Sequence, residues 1–216
     1  MSSDRGRVSD DTPDRGRVSD DTRERERVPG ATADRERIPA GQHVTKGWPV
    51  LHFGPVPRIA RGEHRLRIGG AVERPLSLSL DELEALPQVE VTADFHCVTT
   101  WSRLDNAWGG VRLSELADRV GVRESARFVR FADVGDYDTT VPIECLAEAL
   151  VAHSHDGAPL TAEHGGPLRS VVPSRYAWKS CKWLAEIEFL EEDRLGFWEV
   201  RGYHNGADPW KEERLV

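Results

Sequence analysis

The sequence predicts a β-rich, mixed α+β domain that follows a charged and disordered tail. Three observations support this fold class. Short segments with the alternation typical of strands outnumber the segments with helical spacing. All seven tryptophans lie beyond residue 47, whereas the first 42 residues contain no aromatic side chain. Hydrophobic residues make up 38% and charged residues 31% of the chain, which suits a folded body with a solvated extension.

The N-terminal 42 residues repeat with a period of ten. The sequence DRGRVSDDT occurs at residues 4–12 and again at residues 14–22, and two weaker copies follow. This stretch holds 9 Arg against 10 Asp plus Glu, so it is nearly neutral but highly charged. It cannot bury enough apolar surface to offset the entropy lost on ordering. We therefore expect a disordered tail over residues 1–42, with a docking arm as the alternative, and one folded domain over residues 43–216.

Strand and helix signals alternate in the first half of the body. Residues 64–69 (HRLRIG) and 89–95 (VEVTADF) alternate apolar and polar side chains, which predicts strands. Residues 80–86 have helical spacing, with Ser79 and Asp81 as possible caps.

The second half of the body continues this pattern. Residues 114–120 predict a short helix, with Ser114 at its N-cap and Gly121 after its end. A second helix is predicted over residues 143–152. Strands are predicted over residues 126–132, 168–173 and 183–190, with a further strand over 197–203. Short helices and numerous strands together indicate the mixed α+β class.

The charge and hydropathy patterns exclude several classes of protein. A net charge of −8 argues against a surface that neutralises nucleic-acid phosphates. No apolar run approaches the ~20 residues that a membrane-spanning helix needs. The N-terminal arginines precede no apolar segment and include no Arg-Arg pair, so no export signal is predicted. We expect no nucleic-acid partner, no membrane span and a cytoplasmic location.

One cysteine is a candidate for chemistry. The three cysteines, Cys97, Cys145 and Cys181, are widely spaced and form no CxxC pair, which argues against a disulfide framework or a zinc site. Cys97 follows the strand predicted at residues 89–95, where a scaffold presents functional side chains. Its thiolate would bind a soft metal, and a buried structural cysteine is the alternative. A Cys–His hydrolase is disfavoured because His96 and Cys97 would point to opposite faces of the strand.

The second candidate is the segment HGGPLRSVVPSRYAWKSCKW at residues 164–183. It contains no acidic residue, and its four cations are Arg169, Arg175, Lys179 and Lys182. Such a cluster in an acidic protein predicts an anion site, to which Ser180 could add hydrogen bonds, whereas a solvated basic face is the alternative. A thiolate and an anion site together indicate a cofactor with a soft metal at one end and an anion at the other.

These motifs resemble those of the sulfite-oxidase-like molybdopterin-dependent oxidoreductases, particularly their short, single-domain bacterial members. The resemblance extends over nearly the whole body. It includes GWPVLHFGPVP, FHCVTTWS, WGGVRLSELA, the 164–183 segment and the ending GFWEVRGYHNGADPW. It implies a β-rich fold around a molybdenum–molybdopterin cofactor. It also implies an oxidoreductase that acts on a small-molecule substrate and exchanges electrons with a separate partner.

The resemblance also assigns roles to individual residues. Cys97 matches the catalytic cysteine whose sulfur ligates molybdenum. Residues Ser180, Cys181 and Lys182 match a segment that holds the cofactor phosphate through backbone groups and lysine, so Cys181 is not expected to be a second metal ligand. The positions that match cofactor-contacting residues are His52, Phe53, Asp133, His164, Arg169, Ser180, Cys181 and Lys182. Cys145 is expected to be structural.

Two departures from the family pattern concern the substrate. Sulfite oxidases surround sulfite with arginines, and Leu51 and Ser102 stand at the positions that match two of them. A small dianion would lose two charge-assisted partners there, so we predict that sulfite is not the physiological substrate. A catalytically silent cofactor-binding or interaction module is the alternative function, because the cysteine is kept where the substrate pocket is weakened.

Overall fold

The structure is a computed structural model that describes residues 36–216. Most of the predicted tail, residues 1–35, lies outside the described residues. The described residues form two mixed β-sheets with two short α-helices. The strands are β1 (His43–Val44), β2 (Arg65–Gly70), β3 (Leu76–Ser79), β4 (Val89–His96), β5 (Trp101–Arg112), β6 (Phe128–Asp133), β7 (Asp138–Pro142), β8 (Leu150–His155), β9 (Ala158–Pro159), β10 (Arg169–Val171) and β11 (Leu184–Leu190). The helices are α1 (Leu80–Glu84) and α2 (Leu113–Val120).

The first sheet is built around the long strand β5. Strands β4 and β8 pair with it in antiparallel fashion, and β9 and β10 pair with β8. Strand β1 pairs in parallel with the start of β5, so that His43 lies opposite Trp101 and Val44 opposite Ser102. A Cβ atom on Gly110 would collide with the Val151 carbonyl, so this glycine permits the close approach of β5 and β8. The first sheet thereby places the end of β4, and Cys97 after it, beside the N-terminal strand.

The second sheet has the strand order β3-β2-β11-β6-β7. Strand β11 runs parallel to β2 and antiparallel to β6. Alternate side chains of its central strands are buried in the main core, among them Leu66, Ile68, Val129, Phe131 and Ile187. Helix α2 adds Leu113, Leu116 and Val120 to the same core.

The helix boundaries follow local hydrogen bonding. Ser79 caps α1 as predicted, because its hydroxyl accepts from the Glu82 N–H while the Glu82 carboxylate accepts from the Ser79 N–H. Helix α2 ends at Gly121, which has a φ of +65°. The predicted N-cap at Ser114 is wrong, because α2 already begins at Leu113 and no side chain caps it.

Two predicted elements are wrong. The helix expected over residues 143–152 is a single 3₁₀ turn, Ile143–Ala147, followed by strand β8. The edge of β5 supplies hydrogen bonds to β8, and this pairing overrides the helical spacing. The strand expected over residues 197–203 is a 3₁₀ turn, Glu199–Arg201, which ends at Gly202 with a φ of +95°. The other 3₁₀ turns are Ala162–His164, Ala177–Lys179 and Pro209–Lys211.

The remaining predicted elements are confirmed, as is the β-rich α+β class. Strands β1, β3, β5, β7 and β9 were not predicted. Within residues 36–216, no helix combines the length and the apolar character needed to cross a membrane.

Candidate active site

A cavity of about 280 Å³ lies where five segments meet: the loop after β1, the turn after β4, the connection between β6 and β7, the loop after β10 and the C-terminal segment. Most of the predicted site residues line it, namely His52, Phe53, Cys97, Asp133, Arg169, Ser180 and Lys182. His164 and Cys181 do not line it. The rest of the wall is mainly aromatic and was not predicted as part of the site: Trp48, Phe95, Trp101, Tyr137, Trp178, Trp183, Trp198 and Tyr203.

Cys97 begins a tight turn over residues 97–100, which we call the Cys97 turn. The Cys97 N–H donates to the Trp101 carbonyl at 2.8 Å, and the Thr100 N–H donates to the Cys97 carbonyl at 3.0 Å. Thr100 has a φ of +74°, an unfavourable conformation for a β-branched residue. The side chain of Cys97 is buried but lines the cavity, which is what the functional interpretation of this cysteine requires.

Opposing influences act on the Cys97 thiol. Burial is the largest and raises the pKa of Cys97. The hydrogen bond with the Thr99 hydroxyl, 3.1 Å from the sulfur, lowers that pKa. The positive charges of Arg214 and Lys182 lower it as well. The thiolate therefore needs a cation close to the sulfur to persist, and a metal ion would provide one.

Lys182 joins two loops at the edge of the cavity. Its ammonium group donates to the Leu51 carbonyl at 2.8 Å and to the Glu163 carbonyl at 2.6 Å. Burial and, secondarily, the charge of Arg169 lower the pKa of Lys182 to about 7. An anion bound in the cavity would favour the charged form of this lysine.

Arg169 is buried and its donors are turned toward the protein backbone. It donates to the His164 carbonyl at 2.9 Å and to the Ser180 carbonyl at 3.1 Å. Burial lowers the pKa of Arg169 to about 10. Its guanidinium carbon lies 5.1–5.5 Å from the ring centroids of Trp48, Phe95 and Trp108. Arg169 thus holds the loops on either side of β10 together.

The structure separates the four cations that the sequence placed in one cluster. Arg169 and Lys182 line the cavity, whereas Lys179 is fully buried and pairs with Glu199 at 2.6 Å. Arg175 lies close to Cys145, whose pKa its charge lowers against the larger effect of burial. The cluster is therefore not a single anion site, since neither Lys179 nor Arg175 belongs to the cavity wall.

His164 and Cys181 lie behind the cavity wall. The imidazole of His164 stacks on Trp48, with centroids 3.7 Å apart and planes 6° from parallel. Cys181 is packed in the main core, and its N–H donates to the Ser170 hydroxyl at 2.8 Å. The Ser180 N–H donates to the Ala177 carbonyl at 3.1 Å. The amide groups of Ser180 and Cys181 are thus already satisfied within the protein.

Leu51, Ser102 and Asp133 bear on how well the cavity would bind an anion. Leu51 lines the cavity, and Ser102 is completely buried outside the lining. The Ser102 hydroxyl is hydrogen-bonded with His96 at 2.8 Å. Asp133 lines the cavity, accepts N–H bonds from Gly135 and Tyr137, and has its pKa raised by burial.

Two histidines near Trp48 make stability dependent on pH. Burial is the main factor that lowers the pKa values of His155 and His164 to about 4. The unfolded chain, with histidine pKa values near ~6.5, binds more protons than the folded protein below that pH. We expect the free energy of unfolding to fall as the pH falls from about 7 toward about 5, measured by urea denaturation. His155→Gln should flatten this dependence, and an unchanged slope would contradict the assignment. His43→Gln, at an exposed position, is the control.

The sequence of this chain is similar to one family model and to several known proteins. A family model described as the oxidoreductase molybdopterin binding domain matches residues 53–198. The uncharacterized oxidoreductase YuiH of Bacillus subtilis is 46% identical over 178 residues, which cover 81% of this chain and 90% of that protein. The sulfite oxidase of Arabidopsis thaliana is 27% identical over 188 residues, which cover 69% of this chain and 48% of that protein.

A solved structure shares the fold. The crystal structure of the sulfane dehydrogenase SoxCD from Paracoccus pantotrophus aligns with a TM-score of 0.59 and 22% sequence identity. The alignment covers 63% of this chain and 40% of that one. This chain therefore spans less than half the length of both the plant enzyme and the SoxCD chain, whereas it spans most of the bacterial relative.

Proposed function

The chain belongs to the family of oxidoreductase molybdopterin-binding domains, and on that premise we propose that it is a molybdenum-dependent oxidoreductase whose metal is ligated by Cys97. One observation carries the proposal. The Cys97 thiol and the Lys182 ammonium group are far apart in sequence, yet both line the same cavity. A soft sulfur ligand and a half-buried cation in one cavity suit a metal held by an organic group that carries an anion.

The residues of the cavity fit a molybdopterin cofactor. The volume of about 280 Å³ is near the lower end, about 300 Å³, of small-molecule sites, and the cavity is partly open. The aromatic side chains offer faces for a planar pterin. The indole N–H of Trp101, which lines the cavity, is buried without a hydrogen-bond partner among the described residues. An acceptor atom of the cofactor would satisfy this donor.

The chain's own residues would divide the work of binding. When bound, the molybdenum centre supplies two-electron chemistry in which an oxygen atom passes between the substrate and water. Cys97 would hold the metal, and Lys182 would hold the phosphate. His52, Phe53 and Asp133 would contact the cofactor from the cavity wall. His164, Arg169, Ser180 and Cys181, predicted as direct contacts, would act largely by fixing the wall, because their polar groups bond mainly to the protein.

The cavity supports a small-molecule substrate other than sulfite. Arg169 is the arginine of the lining, and its guanidinium group donates to backbone carbonyls. Leu51 presents an apolar side chain, and Ser102 is buried and does not line the cavity. A dianion would therefore meet few free donors, whereas a neutral substrate does not depend on charge-assisted hydrogen bonds. A separate electron-transfer partner and a cytoplasmic location remain predictions from the sequence.

Metal analysis of the purified protein, paired with fluorescence of the released and oxidised pterin, tests the proposal. From a host able to make the cofactor, we expect about one molybdenum and one pterin per chain. Absence of both would refute the proposed function. Molybdenum without turnover of any dye-coupled donor or acceptor would favour the catalytically silent module.

Lys182→Met should weaken retention of the pterin. Because the ammonium group joins Leu51 to Glu163 and faces the cavity, we expect about tenfold or greater loss of pterin during gel filtration. Lys211→Met, at an exposed lysine near the C-terminus, is the matched control. Equal pterin content in both variants would remove Lys182 from the cofactor site.

A further inference from the structure

We propose that Gln42 and Arg214 are positioning residues that clasp the Cys97 turn from outside the cavity and thereby fix the metal-ligating sulfur. This inference rests on the proposed role of Cys97. Both residues lie outside residues 53–198, the part of the chain that the family model matches. The clasp is therefore built by the segments that precede and follow the part of the chain that the family model matches.

Gln42 connects the start of the Cys97 turn to strand β5. Its side-chain N–H donates to the Cys97 carbonyl at 3.0 Å. Its side-chain carbonyl accepts from the Ser102 hydroxyl at 3.3 Å. A shorter side chain at this position would reach neither partner, so one residue of the N-terminal segment connects the start of the turn to strand β5.

Strand β1 extends this contact along the turn. The His43 N–H donates to the Thr100 carbonyl, and the Thr45 N–H donates to the Ser102 carbonyl, both at 2.9 Å. Arg37 strengthens the attachment of the same segment through its ion pairs with Asp94 and Asp105 at 2.5 and 2.6 Å. Residues 37–45 are thereby fixed against β4 and β5, the strands on either side of the turn.

Arg214 closes the clasp from the C-terminal end. Its guanidinium group donates to the Val98 carbonyl at 2.6 Å and to the Ala40 carbonyl at 3.4 Å. The same group lies over the ring of Tyr176, 5.1 Å from its centroid. Arg214 therefore connects the turn, the N-terminal segment and the loop that follows β10.

The turn needs such external support. Thr100 holds a left-handed conformation, which persists only where the surroundings determine it. The carbonyls of Cys97, Val98 and Thr100 accept hydrogen bonds from the side chain of Gln42, the side chain of Arg214 and the N–H of His43. Loss of the Arg214 side chain would free the Val98 carbonyl, and loss of the Gln42 side chain would leave the Cys97 carbonyl with the Thr100 N–H as its donor. Either loss would let the sulfur shift relative to the cavity.

Hydrogen–deuterium exchange tests whether the clasp exists. In Gln42→Ala and Arg214→Ala, we expect a peptide spanning residues 95–102 to exchange about tenfold faster than in the wild type, as follows from loss of one or two hydrogen bonds. Arg119→Ala, which removes an exposed ion pair with Glu115 on α2, is the control. Unchanged exchange in both clasp variants would refute the clasp.

The Mo(V) electron paramagnetic resonance spectrum tests whether the clasp positions the sulfur. We expect altered g-values in Arg214→Ala at unchanged pterin content, and partial recovery in Arg214→Lys. Faster exchange with a wild-type spectrum would overturn the positioning role and leave a structural one. A wild-type protein without molybdenum would refute the proposed function and the positioning of a metal ligand together, whereas the exchange result would still decide whether the clasp exists.

Discussion

Replacement of Cys97 by serine is expected to reduce turnover below about 1% of the wild type. Loss of a group that only hydrogen-bonds to a metal ligand already costs about 10–100-fold, and loss of the ligand itself should cost more. The hydroxyl is nearly the same size as the thiol, so the turn should keep its backbone hydrogen bonds. Serine does not provide the soft anionic ligand that the thiolate provides. Dye-coupled turnover, pterin content and circular dichroism of the same preparation would separate loss of chemistry from loss of folding.

Cys145→Ala is the control for this experiment. Cys145 is buried in the main core and does not line the cavity. This variant should lose stability but keep its activity per bound molybdenum. Full activity of Cys97→Ser would remove Cys97 from the mechanism, and a serine variant that cannot fold would be replaced by Cys97→Ala with the same measurements.

The strands that the sequence predicted well are those whose two faces differ. Along β2, exposed Arg65 and Arg67 alternate with buried Leu66 and Ile68, and this local signal is enough to identify the strand. Strand β8 has no such signal, because Leu150, Val151 and Ala152 are all buried. A continuous apolar run is equally compatible with a helix, and pairing with β5 decides between them.

The candidate site, like the fold, was predicted only in part. The motif around Cys97 and the basic segment that contains Lys182 predicted two residues that line the cavity, because both predictions depend on residue type. The sequence did not predict that Arg169 would bond to backbone carbonyls or that Ser102 would be sealed under Gln42. Both outcomes depend on the register of distant segments, such as β1 against β5, which no local pattern encodes.

The buried ion pair behind the cavity is the site where a substitution should cost most stability. Lys179 and Glu199 have side chains that are 0% and 1% exposed, with Nζ and Oε1 2.6 Å apart. The indole N–H of Trp178, a residue of the cavity wall, donates to the same carboxylate oxygen at 3.1 Å. Burial lowers the pKa of Lys179, and the charge of Glu199 opposes this effect.

Glu199→Gln should destabilise the protein by about 3–5 kcal/mol, because it leaves the Lys179 ammonium buried without a counter-charge. Lys179→Met should have a cost of the same order, since it leaves the carboxylate unpaired. The double variant Lys179→Met/Glu199→Gln removes both charges while an acceptor for Trp178 remains, so it should recover most of the loss.

Urea denaturation with a shared m-value would measure the coupling between the two substitutions. Arg119→Ala, at the exposed pair with Glu115, should cost less than about 1 kcal/mol and provides the scale. Additive costs in the double variant would show that the two charges do not stabilise each other. Strong coupling would mean that the charge pair, rather than the packing of either side chain, holds the 3₁₀ turn at Glu199–Arg201 against the loop that carries Trp178. Because Trp178 and Trp198, which precedes this turn, both line the cavity, the pair would then hold two sides of the cavity wall together.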